Sequence, residues 1–569
     1  MGLFSGFSQV FSLDTLDYRL TANTLRSSSP PKNHGRRQPS VSASSTTENE
    51  SPASRKLREE SKPSKWFSIE FFFYYIVFIV VVPLMFKVVI DVSKESHPNF
   101  PKYKHLLSPG WIPGRKVDNS DAQYQSFRNN IPILFAVLTL HSVLRRVFNV
   151  VYSRISPTPP TNSSYYASHN LNRRKIFDII FALIFLTALH SLSVIKILVI
   201  LLVNFSISFF HPSSIMVPIC TWVFNITVLF ANEYYSGYRY RDLLPFFVAG
   251  EGAGFGYWMD HFMGGGLLRR WEVSFKITVL RLISYNLDHY WAACRAEAGE
   301  EEEGSVLELK YSTPTLTIRR RLLYAVRLVI AILTMELALH YIYVVAISKT
   351  SSRGSWAGDT PAQLAMIGYF NLHIIWLKLL IPWRFFRLWS LVDGIDPPEN
   401  MLRCMSNNFS ALAFWRAWHR SFNRWIVRYI YIPLGGAKRP VINMAAVFTF
   451  VALWHDISLK LLAWGWLVVL FVIPEIVGHK IARRWQSNVT FARHMAALGG
   501  VANVLMMMAA NLVGFAIGLD GLRTMVDGVF GSYGGAAFII FSMMAIFVGV
   551  QVMFEIREAE KRHGINLKC

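Results

Sequence analysis

The sequence predicts an all-α polytopic membrane protein, a helical bundle of about ten to twelve membrane segments. Three observations point there. Apolar runs of about 17–25 residues recur, the length that crosses a hydrocarbon core about 30 Å thick. Phe (42), Tyr (23) and Trp (17) are abundant, as expected where rings sit at two membrane interfaces. The basic residues punctuate the apolar runs instead of forming one patch. Totals say less: the chain is 52% hydrophobic and 17% charged, with mean hydropathy +0.31, so distribution decides.

The elements follow in order. Residues 1–65 are polar and rich in Ser and Pro, lack the apolar core of a cleavable signal, and are expected to form a disordered tail. Residues 66–569 are expected to form the membrane domain. Its first span covers about 69–90, where Pro83 predicts a kink. A loop rich in Pro and Gly leads to a second apolar stretch, 131–145. Ile176 to Phe210 is too long for one upright helix. His190, Ser191, Ser193 and Lys196 interrupt it, so two helices should meet there. A fifth stretch is 214–232. Segment 269–291, RRWEVSFKITVLRLISYNLDHYW, carries Lys276, Arg281 and Asp288 among apolar positions at helical spacing. It reads as an interfacial or bundle-lining helix. An acidic linker within 295–320 has nothing to pack. Further spans are expected at 322–347, 362–382, 442–458, 460–478, 495–518 and 534–554. No internal repeat is visible, which argues against the repeat-built transporters.

The net charge of +22 fits Lys/Arg-rich loops at anionic headgroups, and it could also recruit an anionic substrate such as a CoA thioester. A nucleic-acid partner does not fit basic residues spread between spans. Cys220, Cys294, Cys404 and Cys569 make no C-x-x-C, so neither a disulfide framework nor a metal site is indicated.

Two neighbouring segments carry candidate chemistry. In FWRAWHRSFNRWIVRYIYIPLGG, 414–436, helical spacing gathers Trp415, Trp418, His419, Phe422, Trp425, Ile426 and Tyr429 on one face. Arg416, Arg420, Arg424 and Arg428 recur every four residues on the other, and Asn423 sits beside His419. Either the arginines meet lipid headgroups on an interfacial helix, or they meet an anionic donor while His419 and Asn423 reach a reacting group. In the second segment, 441–478, His455 follows the apolar run Ala445–Trp454 and precedes Asp456. An ionisable residue about two-thirds of the way through a bilayer usually faces a cavity or a partner. A neutral imidazole there can serve as general base, or be a structural histidine capped by Asp456. Acyl transfer from a thioester to a lipid hydroxyl needs one base for the hydroxyl proton. It also needs a donor where negative charge develops: Asn423, His419, or an indole N–H of Trp418 or Trp454. Glu336 and His340, four apart in an apolar helix, should pair with each other.

The run 414–436 followed by Trp-His-Asp on an apolar helix resembles the membrane-bound O-acyltransferase family. KVDNSDAQYQSFRNN (116–130), LISYNLD (282–288), MIGYFNLHIIWLKLLIPWRFFRLW (366–389), DGIDPPENM (393–401) and MFEIREAEKRHG (553–564) are similar to its fungal glycerol-uptake branch, which is also held to remodel GPI anchors. The resemblance covers about 66–569 and implies a bundle around a tunnel through the membrane. It implies His455 as the catalytic histidine and places His419 at the family's earlier polar position. It implies acyl-CoA as co-substrate with no bound cofactor, and a lyso-GPI acceptor whose free glycerol hydroxyl takes a long chain. The compartment would be the endoplasmic reticulum membrane, with the plasma membrane as a second site. The chain departs from the family in one place. Relatives carry an apolar, Tyr-Pro-rich run ending in Gly-Pro between the helices that correspond to 282–288 and 322–347, and no Gly-Pro occurs there here. A polyol–proton symporter is the alternative, for which Glu336 and His340 are the best relay residues. A non-enzymatic scaffold is the third reading.

Overall fold

Water is absent from the hydrocarbon core, so backbone groups there must pair within a helix, and apolar side chains can face outward. The computed structural model describes residues 9–17, 52–157, 165–244, 252–268, 270–299, 317–482, 488–565 and 567. Most of these residues are helical, and the strands among them form one short hairpin. Among them, eight helices are long and apolar enough to cross a membrane, and two shorter apolar helices, Ser193–Phe209 and Pro440–His455, accompany them. The protein is an all-α, multi-pass membrane protein.

The expected disordered tail is partly built into the body. Helix α1, Leu13–Asp17, and helix α2, Pro52–Glu59, both pack on it. Leu16 is buried, Asp17 accepts the Glu399 backbone N–H at 3.0 Å, and Arg327 donates to the Ser12 carbonyl at 3.1 Å. Ser54 donates to the Gly564 carbonyl and the Lys62 N–H to Glu558. Charge pairing and backbone hydrogen bonds hold these pieces where apolar content would not. Residues 18–51 lie outside the described residues, as do 300–316 of the acidic linker.

Helix α3, Ile69–Val92, includes Pro83 and turns Phe72, Phe73, Ile76 and Ile79 outward. A two-stranded antiparallel hairpin, β1 (Leu107–Pro109) with β2 (Lys116–Asp118), follows it and was not expected. Helix α4 is Ala122–Ile155. Helices α5, Tyr165–His190, and α6, Ser193–Phe209, meet where expected: Ser191 takes a left-handed turn (φ 51°). Lys196 donates to the Tyr238 carbonyl at 2.6 Å, and His190 bonds the Leu268 carbonyl. Helices α7, Met216–Tyr234, α8, Gly252–His261, and α9, Trp271–Glu297, follow. Asn204, Asn225, Asn286 and Thr221 form a buried hydrogen-bonded ladder that ties α6, α7 and α9 together, with Asn225 donating to Asn204 at 2.8 Å. In a membrane such amides replace the hydrophobic force that water would supply.

Helix α10 is Ile318–Tyr341 and α11 is Pro361–Val392. The latter is the hub: 56% of its most apolar window is buried, against 11% for α3. A capping box at Thr360 and Gln363 starts it. Helices α12 (Ala411–Ala417), α13 (Arg420–Ile426), α14 (Pro440–His455), α15 (Leu459–Ala482), α16 (Val489–Phe515), α17 (Gly518–Phe530) and α18 (Tyr533–Arg562) complete the bundle.

Candidate active site

The histidine segments meet at one cavity, and each histidine sits where helical geometry stops. Helix α14 starts with Pro440 in its first turn and ends at His455, after which Asp456 is extended and α15 begins at Leu459. Sixteen residues of α-helix rise only about 24 Å, so His455 stands short of a full crossing. The Trp454 indole donates to the Lys276 carbonyl at 2.8 Å, and the Lys276 ammonium donates back to the His455 carbonyl at 3.2 Å. A cation at a helix C-terminus satisfies an orphan carbonyl and the helix dipole together. Glu233 holds Lys276 at 3.3 Å.

Segment 414–436 is not one helix. It breaks at Trp418, which is extended, and at His419, which is left-handed at φ 42°, ψ 56°. A non-glycine residue in that region is strained and needs support. His419 receives it by stacking on Trp383, with ring centroids 4.3 Å apart and planes 15° off parallel, and by packing on Phe422 at 5.3 Å. Phe422 stacks on Trp454 at 4.5 Å, which links the two histidine segments. After α13 the chain widens into a π-helical turn, Val427–Tyr431.

His419 and His455 line a cavity of about 730 Å³. Asn423, Trp418, Arg416 and Trp454 line it too. Two expected site residues do not. Arg420 turns away: its N–H bonds the Asn400 carbonyl at 3.1 Å, and its guanidinium bonds the Glu399 carbonyl and faces Asp17 at 4.0 Å. Asp456 is exposed beyond the helix end, with its N–H on the Ala452 carbonyl. The expected arginine stripe dissolves for one reason. The break at 418–419 puts Arg416 and Arg420 on different helices, while Arg428 pairs with Asp288 at 2.7 Å. Trp454 also loses one expected role, since its indole N–H is committed to Lys276.

Some lining residues escaped sequence reasoning. Trp383, Asn511 and Phe515 carry no local signal, because they arrive from α11 and α16. Arg281 and Ser284 also line the cavity, which makes α9 bundle-lining; its charged residues among apolar ones were the signal. The expected Glu336–His340 pair does not form between side chains. Glu336 accepts two bonds from Arg128, at 2.6 and 2.7 Å, and one from Trp111, while His340 bonds the Glu336 carbonyl.

A neutral imidazole on the wall of a largely apolar, ring-lined cavity inside a membrane bundle is suited to proton abstraction, the chemistry of a membrane-embedded transferase. Comparison with known proteins makes this specific: the chain belongs to the membrane-bound O-acyltransferase family and is an acyltransferase. The family's model matches residues 303–519, which contain both histidines. Membrane-bound O-acyltransferase GUP1 of Candida tropicalis is 42% identical over 621 residues, covering 100% of this chain and 97% of the relative. Its namesake in Saccharomyces cerevisiae is 41% identical over 560 residues, 89% of this chain and 94% of the relative. The mouse protein-cysteine N-palmitoyltransferase HHAT is 29% identical over 195 residues, 31% of this chain and 38% of its own. The first alignment, at 621 positions, outruns the 569 residues here, so that relative carries segments this chain lacks. Membership implies an acyl donor and a lipid or protein acceptor.

Proposed function

We propose that this acyltransferase moves a long fatty acyl chain from acyl-CoA to a lipid hydroxyl, with His455 as general base. The observation that carries the reading is the convergence of His455 and His419 on one ring-lined cavity that also exposes Arg416 and Arg281. In the reaction, the acceptor oxygen attacks the thioester carbonyl carbon as its proton passes to His455. The new C–O bond forms, the C–S bond breaks, and the departing CoA thiolate recovers the proton. Asn423, His419 and Trp418 are the side chains on hand to donate to the developing oxyanion. Arg416 and Arg281 would hold the phosphates of CoA, a fit of charge and geometry typical of arginine.

The acceptor we propose is the free glycerol hydroxyl of a lyso-GPI lipid, as in the branch whose motifs this sequence resembles, and the compartment is the endoplasmic reticulum membrane. A proton-coupled polyol path through Glu336 and His340 fits less well, because Arg128 and Trp111 occupy that carboxylate.

The test is acyl transfer from labelled long-chain acyl-CoA to lyso-GPI lipid in microsomes carrying this chain or its His455→Ala variant. Product from the first and none from the second is expected. Silence from both, with protein present in the membrane, would sink the reading; tracer glycerol uptake into sealed vesicles would then decide for the symporter.

A further inference from the structure

A second cavity, of about 400 Å³, adjoins the first and shares Leu372, Met405, Phe414 and Asn511 with it. One side is apolar, formed by Val77–Met85 of α3 and Ala545–Ile556 of α18, both weakly buried helices that face the hydrocarbon. The other side is polar: Tyr369 of α11 with Ser406, Asn407 and Asn408 from the loop before α12.

The hydrogen bonds on that wall run in one direction. His373 donates through Nδ1 to the Tyr369 carbonyl at 2.9 Å, which leaves Nε2 of the neutral ring as an acceptor. Ser406 donates its hydroxyl to that nitrogen, and so accepts from the Tyr369 hydroxyl at 2.9 Å. Asn408 donates its amide to the Cys404 carbonyl at 3.1 Å, which fixes its oxygen as the remaining acceptor. The Oδ1 atoms of Asn407 and Asn408 are both buried without a partner. The wall therefore holds acceptors that lack donors, which is unfavourable while unmet. A hydrocarbon tail brings no donor, whereas a hydroxyl brings one.

We propose that this second cavity holds the hydroxyl-bearing backbone of the lipid acceptor, bonded at Ser406, Asn407 and Asn408, with its chain lying between α3 and α18. The proposal rests on the acyltransfer reading above and gives that reading an acceptor subsite separate from the donor's arginines. Gly549 offers a way to fill the apolar side, because a Cβ added there meets nothing within 4 Å.

Two measurements test it in microsomes carrying the full chain. The first is steady-state acyl transfer by Ser406→Val, Asn408→Leu and Gly549→Leu, varying lyso-GPI lipid and acyl-CoA in turn. Each variant should raise the KM for the acceptor about tenfold, the worth of one hydrogen bond or a lost chain contact, and leave that for acyl-CoA within about twofold. A raised acyl-CoA KM or a shortened acyl-chain preference would assign the cavity to the donor tail and overturn the proposal; so would no change in either KM. The second is photolabelling with a lysophosphatidylinositol that carries a diazirine in its chain, which needs no turnover. Label on α3 or α18 that Gly549→Leu abolishes is expected, and label elsewhere overturns the subsite even where transfer is intact. Absent transfer with correctly placed label would count against the acyltransfer reading alone.

Discussion

The two histidine segments are neighbours in sequence and are built differently. At 441–455 an unbroken apolar helix runs to its last residue and delivers His455 at its C-terminal end, where Lys276 caps the carbonyl. At 414–426 the helix snaps, and His419 occupies the break in a left-handed conformation, held by Trp383 and Phe422. The first histidine is placed by a regular element and a cap. The second is placed by strain that tertiary stacking supports. The difference separates their expected behaviour: His455 should matter through its nitrogen, His419 through its backbone as much as its ring.

The largest effect should come from His455→Ala. Losing the base should lower kcat by about a thousandfold with the protein still present in the membrane. A residual rate within about tenfold of wild type would remove His455 from the chemistry. Next comes His419. His419→Val puts a β-branched residue at positive φ; it should cost about 1–3 kcal/mol of stability, read as a lower thermal midpoint in detergent, and lower activity with it. His419→Asn tolerates that backbone and should keep the midpoint while activity falls. Equal losses of stability in both variants would erase the contrast between the two histidines.

The arginines sharpen the effect of the break. Arg416→Ala should raise the KM for acyl-CoA about tenfold, since a charge-assisted bond is lost from the cavity. Arg420→Ala should leave that KM unchanged and cost about 1 kcal/mol of stability through its contacts with Glu399 and Asp17. The reverse result would mean that the unbroken helix describes the working enzyme better. The smallest effect is expected from Trp383→Leu, which takes away the ring under His419 on the cavity wall. A loss of a few-fold in activity fits a stacking energy of about 1 kcal/mol.

Much of the family resemblance lies in residues that brace the bundle. Asp118 accepts the Ala346 N–H at 3.0 Å, Asp121 binds Lys378 at 2.6 Å, and Arg128 binds Glu336. In the DGIDPPENM run, Asp393 pairs with Arg145 and Arg174, Asp396 with Arg387, and Glu399 accepts the Tyr324 hydroxyl. In the last helix, Glu555 and Glu560 pair with Arg562 and Arg403. Buried charges inside a membrane protein must find partners, so these positions are chemically demanding without touching the cavity. Motif reading sees that demand and cannot separate it from catalysis.

The sequence by itself determined the class, most helix positions, the junction at 190–196, and His455 as an ionisable residue at the end of an apolar run. These are properties of neighbours within a few residues, or of composition against a fixed membrane thickness. Tertiary structure alone decided the break at His419, the withdrawal of Arg420 and Asp456, the arrival of Lys276 and Trp383, and the acceptor-lined second cavity. Each depends on a group distant in the chain. The stacking ring for His419 comes from α11, and the cap on His455 comes from α9. Helical periodicity assumes that the helix continues, and only a partner from elsewhere in the fold can make stopping it the lower-energy choice.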